Sequence, residues 1–211
     1  MYDLSKTIKS YDNSTKWHSA KFDGYDMGDY LTKFIKLLRG KKVLDFGCGN
    51  GRDSDFFDKK GLNITGIDYS DELIKIAKIR VKNAKILKMD FLKNLEFKDK
   101  CFDGVRASAS LLHVPKEVVI RVLKEINRVL KIHGVLFISV KEGEGEKIVQ
   151  DDYGNEDRFF SFFKTKELTG ILNKSGFKVL TYELISDDKT RVYFVKKKRK
   201  QKWIMIYSIK K

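Results

Sequence analysis

The chain has 211 residues, 42% of them apolar and 35% charged, which suits one compact domain with a real core and excludes wholesale disorder. Two cysteines, Cys48 and Cys101, are too few for a disulfide framework or a four-cysteine metal site, and no metal-ligand cluster is evident. The net charge of +15 comes from 35 lysines and nine arginines, and residues 186–211 alone supply +8 of it. Lysine is a poorer phosphate fork than arginine, so a solvated tail explains much of this apparent nucleic-acid signal.

In chain order, residues 1–24 are polar and aromatic (Tyr2, Tyr11, Trp17, His18, Phe22) and show neither helical nor strand periodicity. They read as an N-terminal lid segment ahead of a single domain at 25–211. The opening MYDLSKTIKS lacks the apolar core of a secretory leader, and the most apolar stretch, Gly134–Val140, is far too short to span a bilayer. A cytoplasmic location is the expectation.

Short apolar runs predict strands at 42–46, 62–67, 84–89, 102–107 and 134–141. Helical spacing predicts a helix at 71–81 behind Ser70 as N-cap, and another at 116–130 with Val119, Val122, Leu123, Ile126 and Leu130 on one face. Residues 142–163 read as a long acidic loop ending in Phe159, Phe160, Phe162 and Phe163, a second lid. A helix at 164–175 and strands at 178–185 and 202–209 follow, with the basic run Lys196–Lys202 before the last. Alternating strands and helices predict an α/β fold: a doubly wound, mostly parallel seven-stranded sheet with helices on both faces and an antiparallel last strand.

In such a sheet ligands bind beyond the carboxyl ends of the strands. The first strand ends in Asp45-Phe46-Gly47-Cys48-Gly49-Asn50-Gly51, where glycines allow close backbone approach and Asp45 can brace the turn. The second ends at Asp68, where a carboxylate suits a ribose diol. The glycines do not make G-x-G-x-x-G, because Arg52 stands where the third would be, and no P-loop lysine follows.

VLDFGCGNG followed by GIDYS, then KMDFL, FDGVRASASLLHVP and INRVLKIHGVLFISV, resembles class I S-adenosylmethionine-dependent methyltransferases of the small-molecule type over roughly residues 40–185. The resemblance implies a Rossmann-like methyltransferase fold and S-adenosylmethionine as cofactor. It implies that Asp45 and Cys48 belong to the cofactor site, that Gly47 and Gly49 let the loop pass the methionine portion, that Asp68 holds the ribose, that Tyr69 and Phe91 flank adenine, and that Asp90 lies near its amino group. Ala107 would offer its carbonyl to the methionine ammonium. His113, just past the fourth strand, is the candidate general base, and Tyr11 and Arg158 are the residues expected at the acceptor. The (D/N)-P-P-(Y/F) stretch of base-amine methyltransferases is absent, since SASLLH stands there. The expectation is methyl transfer to a small molecule; the alternative is tRNA or another RNA held by the basic tail.

Overall fold

The computed structural model describes residues 4–24, 26–150, 157–186 and 201–211. Helices α1 (Leu4–Asn13), α2 (Thr15–Asp23) and α3 (Gly28–Leu37) precede strand β1 (Lys42–Phe46). Then come α4 (Arg52–Lys59), β2 (Asn63–Asp68), α5 (Asp71–Arg80), β3 (Lys85–Lys88), β4 (Phe102–Ser108), a short 3-10 turn, α6 (Lys116–Val129) and β5 (Leu130–Lys141). A hairpin of β6 (Glu146–Gln150) and β7 (Asp157–Ser161), helix α7 (Thr165–Lys174), β8 (Phe177–Ser186) and β9 (Lys202–Lys210) complete the chain.

Seven strands form one sheet in the order β3-β2-β1-β4-β5-β9-β8. All pair in parallel except β9, which runs antiparallel between β5 and β8. The predicted sheet is therefore present, with the last strand inserted inside the edge. Strand order reverses between β1 and β4, the switch point at which such sheets bind ligands.

Because both faces are covered, β1 and β4 are almost wholly buried, so they read as continuous apolar runs. One face packs against α6 and α7 through Val122, Leu123, Ile126, Leu168 and Leu172. The other packs against α3 and α4 through Leu31, Phe34 and Phe57. Gly104 permits the close approach of α3: a Cβ there would sit 2.7 Å from the Phe34 ring and 2.4 Å from Leu38.

Two expectations need correcting. Residues 4–13 and 15–23 are helical: in α1, Leu4, Ile8 and Tyr11 do fall at helical spacing although the residues it buries are the small hydroxyls Thr7 and Ser10, and only α2 lacks a hydrophobic face. The supposed 142–163 loop contains the β6–β7 hairpin, in which Phe159 and Phe160 are buried, as is Phe163 just after it. Asp151, Asp152 and Glu156 of its acidic stretch, and residues 187–200 with most of the basic run, lie outside the described residues. Among the described residues no helix is long and apolar enough to cross a membrane.

Candidate active site

Beyond the carboxyl ends of β1, β2 and β4 lies a cavity of about 440 Å³, within the range of small-molecule sites. Its wall draws on α1, α2, the loops after β1, β2, β3 and β4, and strands β5, β7 and β9.

The loop after β1 turns through three left-handed glycines, Gly47, Gly49 and Gly51, at φ 76°, 54° and 78°. At Gly47 a Cβ would lie 2.5 Å from Ser110 Cβ, so glycine is required there both by conformation and by space. The Gly47 and Cys48 amides donate to the Ile67 carbonyl at 2.8 and 2.9 Å, tying the loop to the end of β2. Asp68 draws the same region together: its carboxylate accepts from the amides of Gly49 (2.8 Å), Tyr69 (2.8 Å) and Ser70 (3.0 Å). Burial pushes its carboxyl above the ordinary range, against those three amides, which favour the charged form.

Tyr69, Asp90, Phe91 and Leu92 form the adjoining wall. Lys88 Nζ sits 5.5 Å from the Tyr69 ring centre, Phe91 packs on Phe46 at 4.8 Å, and Asp90 accepts from the Leu92 amide at 2.9 Å. Cys48 also lines the cavity, and burial raises its thiol well above the usual value, so it is a small neutral side chain there.

Two expected cofactor contacts fall elsewhere. Ala107 is fully buried and paired with Ile138 inside the sheet; the next three residues, Ser108, Ala109 and Ser110, border the cavity instead. Ala109 adopts φ 53° and is pinned by Ser139, whose carbonyl and hydroxyl oxygens accept from its amide at 2.9 and 3.1 Å. Asp45 does not reach the cavity. It lies beneath the loop, accepting from Ser54 Oγ at 2.6 Å and from Arg106 Nη1 at 2.9 Å. Arg106 also pairs with Asp53, which pairs with Arg52, so a buried four-charge cluster braces the glycine loop.

Sequence reading overlooked Arg52, Asp53 and Arg106. A signal exists for the last: a charged residue inside the apolar run 102–107 has to be buried with partners.

The opposite end of the cavity is built from α1, β5, β7, β9 and the turn after β4. Tyr11, His113, Lys141, Arg158, Phe160 and Trp203 line it. His113 lies between the Phe159 carbonyl, 2.7 Å from Nδ1, and the Tyr11 hydroxyl, 2.8 Å from Nε2. Burial lowers its pKa to about 3, with Arg158 and Lys141 pushing the same way. This environment does not suit His113 to the general-base role expected for it: both nitrogens are engaged, and a group so weakly basic does not hold a proton near neutrality.

The N-terminal helices are fastened over both ends. Asp12 on α1 accepts from Ser70 Oγ at 2.5 Å and from the Glu72 amide at 3.2 Å, sitting at the start of α5. Thr7 accepts from the Phe159 amide at 2.9 Å. On α2, Asp23 forms a two-pronged pair with Arg80, both distances 2.7 Å, and accepts from Asn50 of the glycine loop at 3.0 Å. Arg52 donates to the Phe22 carbonyl.

Comparison with known proteins agrees with this construction. A family model described as "Methyltransferase domain" matches residues 44–138. The chain is 32% identical over 139 residues to the demethylmenaquinone methyltransferase of Thermotoga maritima, covering 65% of this chain and 55% of that protein. It spans about half the length of the first curated relatives it matches. Among solved structures, an S-adenosylmethionine-dependent methyltransferase from Methanosarcina mazei superposes with a TM-score of 0.74 at 22% identity, covering 88% of this chain and 98% of that one. The 1,6-didemethyltoxoflavin-N1-methyltransferase of Burkholderia thailandensis, solved with bound 1,6-didemethyltoxoflavin and S-adenosylhomocysteine, gives a TM-score of 0.68 at 19% identity, covering 100% of this chain and 91% of that one. At these identities the structural likeness speaks for the fold.

Proposed function

We propose that the chain is a class I S-adenosylmethionine-dependent methyltransferase that transfers a methyl group to a small-molecule acceptor held beneath its N-terminal helices. The observation that carries this reading is the continuity of the cavity. Asp68 and the bare glycine loop stand at one end and Tyr11, Arg158 and Trp203 at the other, with α1 and α2 fastened across both.

The residues fit the cofactor. Gly47 and Gly49 leave backbone where a side chain would intrude, Asp68 offers carboxylate oxygens suited to a ribose diol, and Tyr69, Phe91 and Leu92 make an apolar slot suited to a purine. When bound, S-adenosylmethionine supplies a sulfonium methyl that is already electrophilic. What remains for the protein is to hold the acceptor in line and keep water out. A cavity of about 440 Å³ suits a small acceptor better than a polymer, and the demethylmenaquinone methyltransferase named above is, by its name, a small-molecule enzyme.

Incubating the protein with methyl-labelled S-adenosylmethionine and a small-molecule extract should yield a labelled small product detectable by mass spectrometry. Label recovered in RNA, with none in small molecules, would overturn the acceptor class.

The covering role of the N-terminal helices is tested by deleting residues 1–24. All seven sheet strands lie outside the deletion, so the core should fold. Turnover should drop about tenfold or more as water reaches the site and Tyr11 is lost. In the full chain, amide exchange in 4–23 and 157–163 should slow on adding S-adenosylhomocysteine. Undiminished turnover in the truncated protein would show that these helices do not close the site.

A further inference from the structure

At the acceptor end, three groups form a chain in which every hydrogen has one possible position. The Phe159 carbonyl oxygen can only accept, so His113 Nδ1, 2.7 Å away, carries a proton. Burial keeps the ring neutral, so Nε2 holds a lone pair. Nε2 lies 2.8 Å from the Tyr11 hydroxyl, which must therefore donate to it. The one proton Tyr11 has is thus committed within the wall.

The ring that carries this hydroxyl is held on several sides. His18 lies 4.6 Å and Phe22 6.4 Å from it centre to centre, His113 meets it edge-on at 5.5 Å, and the Arg158 guanidinium lies 5.3 Å from its centre. Tyr11 borders the cavity, and Arg158 Nη1 donates to its oxygen at a long 3.3 Å. A hydroxyl whose proton is spent presents its oxygen to a ligand only as a hydrogen-bond acceptor.

We propose that Tyr11 is a specificity-determining residue that touches the methyl acceptor, its oxygen held as an acceptor-only group by His113, so that the site selects molecules presenting an N–H or O–H at the reacting end. This rests on the methyltransferase reading above. A bond from that N–H or O–H to Tyr11 fixes the orientation of the attacking heteroatom and hence of its lone pair. Tertiary amines, ethers and thioethers have no hydrogen to offer and cannot make that bond. His113 is a positioning residue for Tyr11 and not a store for the proton. The charged and titratable groups facing it are Tyr11 from α1, His18 from α2, Lys141 from β5 and Arg158 from β7. The two permanent cations oppose its protonation, so the polarity of the chain holds across the neutral range.

Long-range nitrogen–proton spectra of the full-length protein labelled on histidine should show His113 as the neutral Nδ1–H tautomer, with no titration between about pH 5.5 and 8.5. An Nε2–H tautomer, or a midpoint in that window, overturns the proposal. In the second arm, protein saturated with S-adenosylhomocysteine is titrated with matched probes: phenol against anisole, and aniline against N,N-dimethylaniline. The donor of each pair should bind about three- to tenfold tighter, and Tyr11→Phe should bring the ratio to about one. His113→Phe, which releases the Tyr11 hydroxyl to donate, should shift the phenol-to-anisole ratio toward anisole, a reversal that a merely structural histidine would not produce. Equal binding within the pairs, or a preference that survives Tyr11→Phe, overturns the proposal. Failure of S-adenosylhomocysteine to bind would instead overturn the methyltransferase reading; the tautomer and the probe ratios, measured on the free protein, would still judge Tyr11.

Discussion

Asp68→Ala is expected to weaken S-adenosylhomocysteine binding by at least about a hundredfold, since hydrogen bonds to a charged group are worth about 1.5–3 kcal/mol each and a ribose diol would make two. The variant also loses what this carboxylate does for the protein itself. It gathers the amides of Gly49, Tyr69 and Ser70, so the glycine loop and the turn after β2 lose their common anchor. Asp68→Asn keeps the shape but turns an amino group toward amides that also donate, so it should fall between the parent and the alanine variant. The folded protein should tolerate both changes. Burial pushes the Asp68 carboxyl up, which means its ionised form is held at some cost to stability, and removing it need not lower the melting temperature. Calorimetry on both variants, beside their thermal melts, separates ligand binding from folding. Unchanged affinity in Asp68→Ala would remove this residue from the cofactor site.

The sheet and the cofactor end were legible because their signals are local. Strands buried on both faces appear as apolar runs such as KVLDF, and a backbone that must turn tightly at a ligand shows as Gly47, Gly49 and Gly51. The acceptor end was not, for a different physical reason. Helix α1 contributes to it through Leu4, Thr7, Ile8 and Tyr11; the i, i+4, i+7 spacing of Leu4, Ile8 and Tyr11 is a helical signal, but one confined to a ten-residue helix whose buried residues are Thr7 and Ser10. The hairpin β6–β7 was likewise hidden, because β6 is largely exposed and follows a glycine-rich acidic stretch. Ala107 was misjudged by a small margin that matters: the chain leaves the sheet only at Ser108–Ser110, and Ala109 is the residue that turns it toward the cavity. His113, just past β4, is buried in the cavity wall. Its basicity is set by Phe159 and Tyr11, 46 and 102 residues away in sequence, and no local pattern encodes that.

The buried cluster under the glycine loop should dominate the stability of the fold. Arg106 is nearly inaccessible on β4, bonded to Asp45 at the end of β1 and paired with Asp53 in the first turn of α4, while Arg52 closes the cluster at the cavity wall. Two carboxylates and two guanidiniums cancel, which is why the group can sit where water does not reach. Arg106→Leu leaves Asp45 and Asp53 facing each other with one partner fewer. Breaking a buried pair in this way costs about 3–5 kcal/mol, so thermal unfolding should move down by roughly 10 °C in a chain of this size. The direction of the rescue identifies the cause. Adding Asp45→Asn to Arg106→Leu removes one of the stranded charges and should restore much of the loss, although each substitution alone destabilises. Arg106 also borders the cavity, and the competing reading is a direct contact with an anionic part of the ligand. The melts decide between them. If Arg106 served the ligand alone, the free variant would melt with the parent and only its affinity for S-adenosylhomocysteine would fall. A large loss of stability in the free protein, relieved by Asp45→Asn, means the arginine is there to let two acids live beneath the loop that Gly47 and Gly49 keep bare.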